Sequence, residues 1–123
     1  MKRAHTELEA WQQGIALVKA IYEASRKLPK EERYGLTSQI RRAAVSVPAN
    51  IAEGAARGTQ KEFHQFLIIA RGSISELETL LTIVREVGLL PEEKMNELDG
   101  LCDLVSCRLS GLIRSVKKTT IEQ

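Results

Sequence analysis

The stretch TQKEFHQFLIIARGSISELETLLTIVREVG, Thr59 to Gly88, decides the fold. Thr59 and Glu62 form a Thr-x-x-Glu capping box, a signature of a helix N terminus. Gly88 follows the last residue of the apolar pattern and is a natural helix terminator. Apolar residues recur every three or four positions between these two signals, which is the spacing of a helix and not of a strand. We therefore predict a long helix over residues 60–87.

This helix carries two apolar rows. The main row is long and apolar, and consists of Phe63, Phe66, Leu67, Ala70, Ile74, Leu77, Leu81 and Val84. A second row runs beside it and consists of Ile69, Ser73, Glu76, Leu80, Ile83 and Val87. A helix on the surface of one core needs a single apolar stripe. The second row therefore predicts a further packing contact.

Three more helical segments surround this one, at about residues 6–27, 36–57 and 91–118. The segment LPKEERYG (28–35) separates the first two, and Pro91 opens the last. Short connections place neighbouring helices antiparallel. The sequence thus predicts an all-α fold, an up-down-up-down four-helix bundle that forms a single domain over residues 1–123.

The second helix contains QIRRAAVSVPANIAEGAARG (39–58), with a proline in its interior. Pro48 removes one backbone hydrogen bond and costs about 3 kcal/mol in a helix interior. Both flanks keep one helical phase, which favours a continuous, kinked helix; the alternative is a break near residues 46–47. One side of this helix carries only small apolar residues, which would let another helix approach closely: Val45, Pro48, Ala49, Ala52 and Ala56.

The first three helices have more apolar surface than one bundle core requires. Large exposed apolar patches usually mark interfaces, so we expect a homo-oligomer with closed symmetry. The alternative is a monomer whose helices have wide apolar stripes. The candidate subunit-interface residues are Val45, Pro48, Ala49, Ala52, Ala56, Ile69, Leu80 and Ile83.

Composition argues for a binding or scaffold protein and against the common catalytic classes. The net charge is +2, from 18 basic and 16 acidic residues, which is compatible with nucleic acid without arguing for it. No phosphate loop, nucleophile–base pair or Glu-x-x-His metal motif is present, so we expect no catalytic, metal or cofactor-binding residues and no enzyme activity. The apolar runs are too short for a signal peptide or a membrane span, and the spacing of Cys102 and Cys107 disfavours a disulfide. We expect a cytoplasmic protein.

The arginines of the second and third helices are the candidate ligand-binding residues. Arginine binds phosphate through two parallel hydrogen bonds and also forms interhelical ion pairs. The candidates for nucleic-acid contact or ion pairing are Arg41, Arg42, Arg57, Arg71 and Arg85. Glutamates alternate with them, which favours ion pairing for most. The candidate buried or interface polar residues are Asn50, Glu53 and Glu76.

Three segments carry a resemblance to a known family: LEAWQQGIALVKAIYEASRKLP, YGLTSQIRRAAVSVPANIAEGAARG and KEFHQFLIIARGSISELETLL. They resemble the four-helix-bundle proteins of the 23S ribosomal RNA intervening-sequence family, over about residues 7–90. The resemblance implies a small bacterial cytosolic protein that assembles as a homopentamer. Relatives include basic accessory proteins of diversity-generating retroelements, which bind nucleic acid and a reverse transcriptase. The residues matching the family motif are functional candidates: Arg41, Arg42, Asn50, Glu53, Gly54, Arg57 and Glu76.

Two functions follow as hypotheses. The first is a non-enzymatic oligomeric scaffold that associates with RNA or a nucleoprotein. The second is an adaptor for a protein partner, such as a reverse transcriptase or another polymerase, without direct contact with nucleic acid. The nearly balanced charge distinguishes this chain from its strongly basic relatives and counts against strong RNA binding.

Overall fold

The fold is all-α. The computed structural model describes the backbone of residues 4–122 and the side chains of residues 4–117. These residues form four α-helices: α1 (Glu9–Ser25), α2 (Leu36–Ala55), α3 (Gln60–Val87) and α4 (Glu92–Glu122). Two short 3₁₀ turns, Ala4–Glu7 and Lys30–Glu32, precede α1 and α2, and the described residues contain no strand. The predicted fold class is confirmed at this level.

The four helices share one aliphatic core. Helix α1 contacts α2 and α4, and α3 contacts the same two helices. The core contains large side chains that are almost fully buried on every helix, among them Leu17, Ile51, Leu77 and Met95. Burying side chains of this size contributes about 1.5–3 kcal/mol each, which is the main stabilising term in such a fold.

The ends of α3 form as their local chemistry predicts. The hydroxyl of Thr59 accepts a hydrogen bond of 3.2 Å from the backbone N–H of Glu62. At the other end Gly88 adopts a left-handed conformation with φ of 79°. This conformation lets the Gly88 and Leu89 amides both donate to the Val84 carbonyl, each over 3.0 Å.

Helix α2 runs through Pro48 without a break. Pro48 is buried, and a Cβ built on Gly14 of α1 would lie 3.3 Å from the Pro48 Cβ. The ring of Pro48 therefore packs against α1 at a point where glycine allows close approach. This corrects the prediction of Pro48 as a subunit-interface residue, because the helix that approaches it belongs to the same chain.

The other helix ends differ from the predicted bounds by short segments. Leu8 has extended backbone angles and precedes α1, so residues 6–7 belong to the 3₁₀ turn and not to the helix. Helix α2 ends at Ala55, before Arg57, and α4 continues to Glu122. Over the described residues, none of the helices carries an apolar stretch long enough to span a lipid bilayer.

Candidate functional site

Arg41 joins α1 to α2 and is half-buried. Its Nε donates a 2.8 Å hydrogen bond to the Ser25 hydroxyl, and its guanidinium lies 4.7 Å from the centre of the Tyr22 ring. Ser25 in turn donates to the Tyr22 carbonyl over 3.2 Å. A guanidinium held between a hydroxyl and an aromatic face has limited freedom to turn toward a ligand.

Arg57 and Arg85 form ion pairs within the chain. Arg57 lies 3.0 Å from Glu53, one helical turn earlier, and its guanidinium stacks 4.9 Å from the Phe66 ring centre. Arg85 contacts Glu92 at 3.0 Å and Asp99 at 2.7 Å, so it connects α3 to the start of α4. The hydrogen bond that Arg85 donates to the Asp99 carboxylate raises the pKa of Arg85 above its usual value.

Arg42 and Arg71 are exposed, and neither forms a hydrogen bond or ion pair with any side chain that the structure describes. Arg42 borders a groove between α2 and α3 that also exposes Glu76. Arg71 lies on the outer side of α3. Of the five predicted arginines, these two have guanidinium groups available to a ligand.

A chain of hydrogen bonds crosses from α2 to α3. The Asn50 amide donates to both the carbonyl and the hydroxyl of Ser46, over 2.8 and 2.9 Å. The Ser46 and Ser73 hydroxyls lie 2.8 Å apart, and Ser73 donates to the Ile69 carbonyl over 3.2 Å. Since Ser73 uses its proton on Ile69, Ser46 donates to Ser73. Asn50 therefore bonds Ser46 within α2, and the Ser46–Ser73 hydrogen bond connects the two helices.

The predicted interface residues divide into exposed and buried ones. Val45, Ile69 and Ile83 are 41, 51 and 43% exposed, and Ala49 and Ala56 are also exposed. Ala52 is half-buried beside the first 3₁₀ turn. Leu80 is only 7% exposed and belongs to the core, so its assignment to an interface is wrong for the same reason as that of Pro48.

The structure adds exposed apolar residues that the interface prediction omitted. Tyr22 on α1 lines a concavity together with Val45 of α2, and Ile15 is exposed one residue after Gly14. Val87 extends the second apolar row of α3 and is 64% exposed. Helical periodicity places these residues in apolar rows, but it does not show which rows a neighbouring helix leaves uncovered.

The most exposed aromatic residue is Tyr34, with 88% of its surface accessible. It lies just before α2, in the connection from α1, and it lines three adjoining concavities. The guanidinium of Arg33 lies 5.5 Å from its ring centre. Sequence reasoning missed this residue because a connection carries no periodic pattern; the available signal was a tyrosine in a charged segment.

Possible metal ligands and cysteines can be placed in the part of the chain described. No three His, Cys, Asp or Glu side chains there are grouped so as to hold a metal ion. Cys102 and Cys107 are both free; Cys102 is buried and Cys107 is exposed. Burial raises the pKa of the Cys102 thiol to about 12, with smaller contributions from Glu78 and Asp99. Cys102 is therefore a protonated core residue at neutral pH.

Comparisons with known proteins agree with the sequence motifs. The model of the 23S rRNA-intervening sequence protein family matches residues 6–111. The chain is also similar to a crystal structure from Bacteroides thetaiotaomicron, a protein with unknown function from the S23 ribosomal protein family. The TM-score is 0.79 at 20% identity, over 85% of this chain and 95% of that one, which shows a shared fold. No match is found among curated proteins.

Proposed function

Because the chain belongs to the 23S rRNA-intervening sequence protein family, we propose that it is a non-enzymatic scaffold that assembles with copies of itself and associates with RNA in the bacterial cytoplasm. The observation that carries the assembly is a pair of exposed apolar sets on separate parts of the surface. The first set is Ile15, Tyr22 and Val45 on α1 and α2. The second set is Ile69, Ile83 and Val87 on α3.

The protomer in this proposal is an up-down-up-down bundle. Antiparallel order is supported by contacts in which a late residue of one helix meets an early residue of the next. These contacts are Ser25 with Arg41, Gly54 with Phe63 and Phe66, and Arg85 with Glu92. For α1 and α4 the same relation is supported by Glu23, late in α1, whose charge acts on Lys94 at the start of α4.

The two apolar sets favour a head-to-tail contact. Within the described residues α1 and α3 do not contact one another, so the sets face different directions. A contact between unlike patches repeats from copy to copy and closes into a ring when the rotation allows it. The family resemblance supports a homopentamer as the form of that ring.

Light scattering of the purified chain at micromolar concentration tests the assembly. We expect a mass of several chains, and a single-chain mass for Ile69→Lys, which places a charge in the second apolar set. Ser75→Lys is the matched control, because Ser75 is exposed on the same helix outside that set. A wild-type mass equal to one chain would refute the assembly.

The RNA association is supported by the family's relation to ribosomal RNA genes and by the unpaired guanidinium of Arg42. A gel-shift assay with structured RNA at low and physiological salt tests it, after nuclease treatment of the purified protein. Phosphate contacts make affinity fall as salt rises. No shift in either buffer would refute the association and favour the protein-adaptor role.

A further inference from the structure

We propose that Tyr34 and the cations around it form a site for single-stranded nucleic acid at the α1–α2 end of the molecule. This proposal rests on the RNA association proposed above and gives it a location. The site is defined by two adjoining concavities, of about 530 and 460 Å³, that share Tyr34. The larger one also borders Tyr22 and Val45 of the first apolar set, so in this proposal the strand and the neighbouring subunit lie side by side there. We call it the Tyr34 site.

The first argument is the local charge. Five cationic side chains line the two concavities, and no carboxylate lines either of them: Arg26, Lys30, Arg33, Arg41 and Arg42. The whole chain carries a net charge of only +2, so this concentration of cations is local. Positive grooves of this kind follow the phosphates of a nucleic-acid strand.

The second argument is the exposed aromatic ring. A tyrosine with 88% of its surface accessible makes almost no packing contribution to the fold. The guanidinium of Arg33 lies over one face of the ring, 5.5 Å from its centre, which leaves the other face for a base. An accessible ring among cations is a platform on which an unpaired base stacks. Bases inside a duplex are already stacked, which is why we infer a single strand.

The third argument is the position of the first turn of α2. Thr37 lines both concavities and Ser38 lines the larger one, so this turn faces the Tyr34 site. No side chain caps the N terminus of α2, and its first turn contains no acidic residue. The positive end of the helix dipole therefore adds to the field of the cations, and the Glu32 carboxylate near Gly35 offsets part of that field.

The cations have different roles within the site. Arg41 is held by Ser25 and Tyr22 and forms a fixed wall. Arg42 has no partner among the described side chains and is available to a phosphate. Glu76 lies on the far side of Arg42, in the α2–α3 groove, and lines neither of the two concavities.

Fluorescence anisotropy with a labelled mixed-sequence 12-nucleotide RNA tests the Tyr34 site. We expect Tyr34→Ala to raise Kd at least about fivefold, the lower end of the cost of losing one base–aromatic stack. Tyr34→Phe keeps the ring and should bind close to wild type. Arg42→Ala should lower the dependence of log K on log salt by about 0.7, the value for one phosphate of a single strand.

Arg71→Ala is the matched control, because Arg71 is also exposed and unpaired but lies on α3, away from the site. It should leave both Kd and the salt dependence unchanged. A DNA strand of the same sequence should also bind, and the RNA duplex should bind more weakly than the single strand. Light scattering of Tyr34→Ala should give the wild-type mass.

Each contrary result overturns the proposal. If wild type binds RNA and Tyr34→Ala binds equally well, the Tyr34 site is wrong while the RNA association stands. Equal losses of RNA affinity for Arg71→Ala and Arg42→Ala would show that binding depends on charge spread over the surface and not on one site. Preference for the duplex would refute single-strand recognition, and a changed mass of Tyr34→Ala would place Tyr34 in a subunit contact. No binding by wild type would refute both the site and the RNA association.

Discussion

Substitution of Gly54 by alanine should destabilise the protein, although alanine is the better helix former. A Cβ at Gly54 would lie 2.6 Å from the Phe66 Cβ, 3.1 Å from Phe63 Cδ1 and 3.3 Å from the Phe63 carbonyl oxygen. The Phe66 Cβ is fixed to its backbone and cannot rotate away, so α2 and α3 must separate. Forcing one methyl group into a packed contact costs about 1–3 kcal/mol.

Helix propensity opposes this cost. Alanine gains at most about 1 kcal/mol over glycine in a helix interior. Gly54 lies next to the last residue of α2, where the gain is smaller. We therefore expect Gly54→Ala to lower the free energy of unfolding by about 1–2 kcal/mol, the overpacking cost less a fraction of the propensity gain. This assigns Gly54, a functional candidate by family resemblance, to the packing of α2 on α3.

Urea denaturation followed by circular dichroism at 222 nm measures the effect. Gly72→Ala is the control, because Gly72 is interior to α3 and a Cβ there would meet nothing within 4 Å. We expect it to stabilise by roughly 0.5–1 kcal/mol. Two protein concentrations separate folding from self-association. Stability of Gly54→Ala equal to or above wild type would refute the close approach of α2 and α3.

The remaining predictions concern the core thiol and the hydrogen-bond chain. The Cys102 thiol has a pKa of about 12 in the folded chain, compared with 9.0 for a thiol outside the fold. As the pH rises, the unfolded chain therefore loses this proton before the folded chain does. The contribution of this thiol to the free energy of unfolding should be complete below pH 9. Above pH 9 that contribution should fall, by at most about 1.4 kcal/mol per pH unit. Urea midpoints should therefore decline more steeply between pH 8.5 and 10.5 for wild type than for Cys102→Ala, and parallel curves would contradict this. A thiol reagent at pH 8 should modify one cysteine, Cys107, in the folded protein and both after unfolding; rapid modification of both when folded would place Cys102 outside the core. Ser46→Ala should cost about 1 kcal/mol, and the double-mutant cycle with Ser73→Ala should show coupling, because the two hydroxyls are hydrogen-bonded; additive effects would show that they are independent.

Features of the fold that depend on local chemistry follow from the sequence. Thr59, Glu62 and Gly88 fix both ends of α3 through backbone hydrogen bonds spanning a few residues. The continuity of α2 through Pro48 also follows, since its two flanks share one helical phase. The start of α1 does not follow from the sequence, because the 3₁₀ turn at Ala4–Glu7 resembles a helical turn in its composition.

Features that depend on which element covers a face are predicted less well. Periodicity places small residues on one side of α2, but it does not predict that Gly14 of α1 packs on Pro48. For the same reason Leu80 belongs to the core and Ile69, in the same row of α3, does not. Tertiary packing decides which element covers each face of a helix. The sequence of one helix alone does not encode which element that is.

The contrast between Arg41 and Arg42 shows why net charge is a poor guide to ligand binding in this chain. The two residues are adjacent in sequence and line the same concavity. Arg41 is held by Ser25 and Tyr22, and Arg42 lacks a described partner. Salt screens exposed charges beyond about 8–10 Å, so a bound strand responds to the cations within that range. The carboxylates that pair with Arg57 and Arg85 lower the net charge without neutralising the Tyr34 site, since they lie at other contacts. A chain of net charge +2 can therefore carry a surface that attracts phosphate.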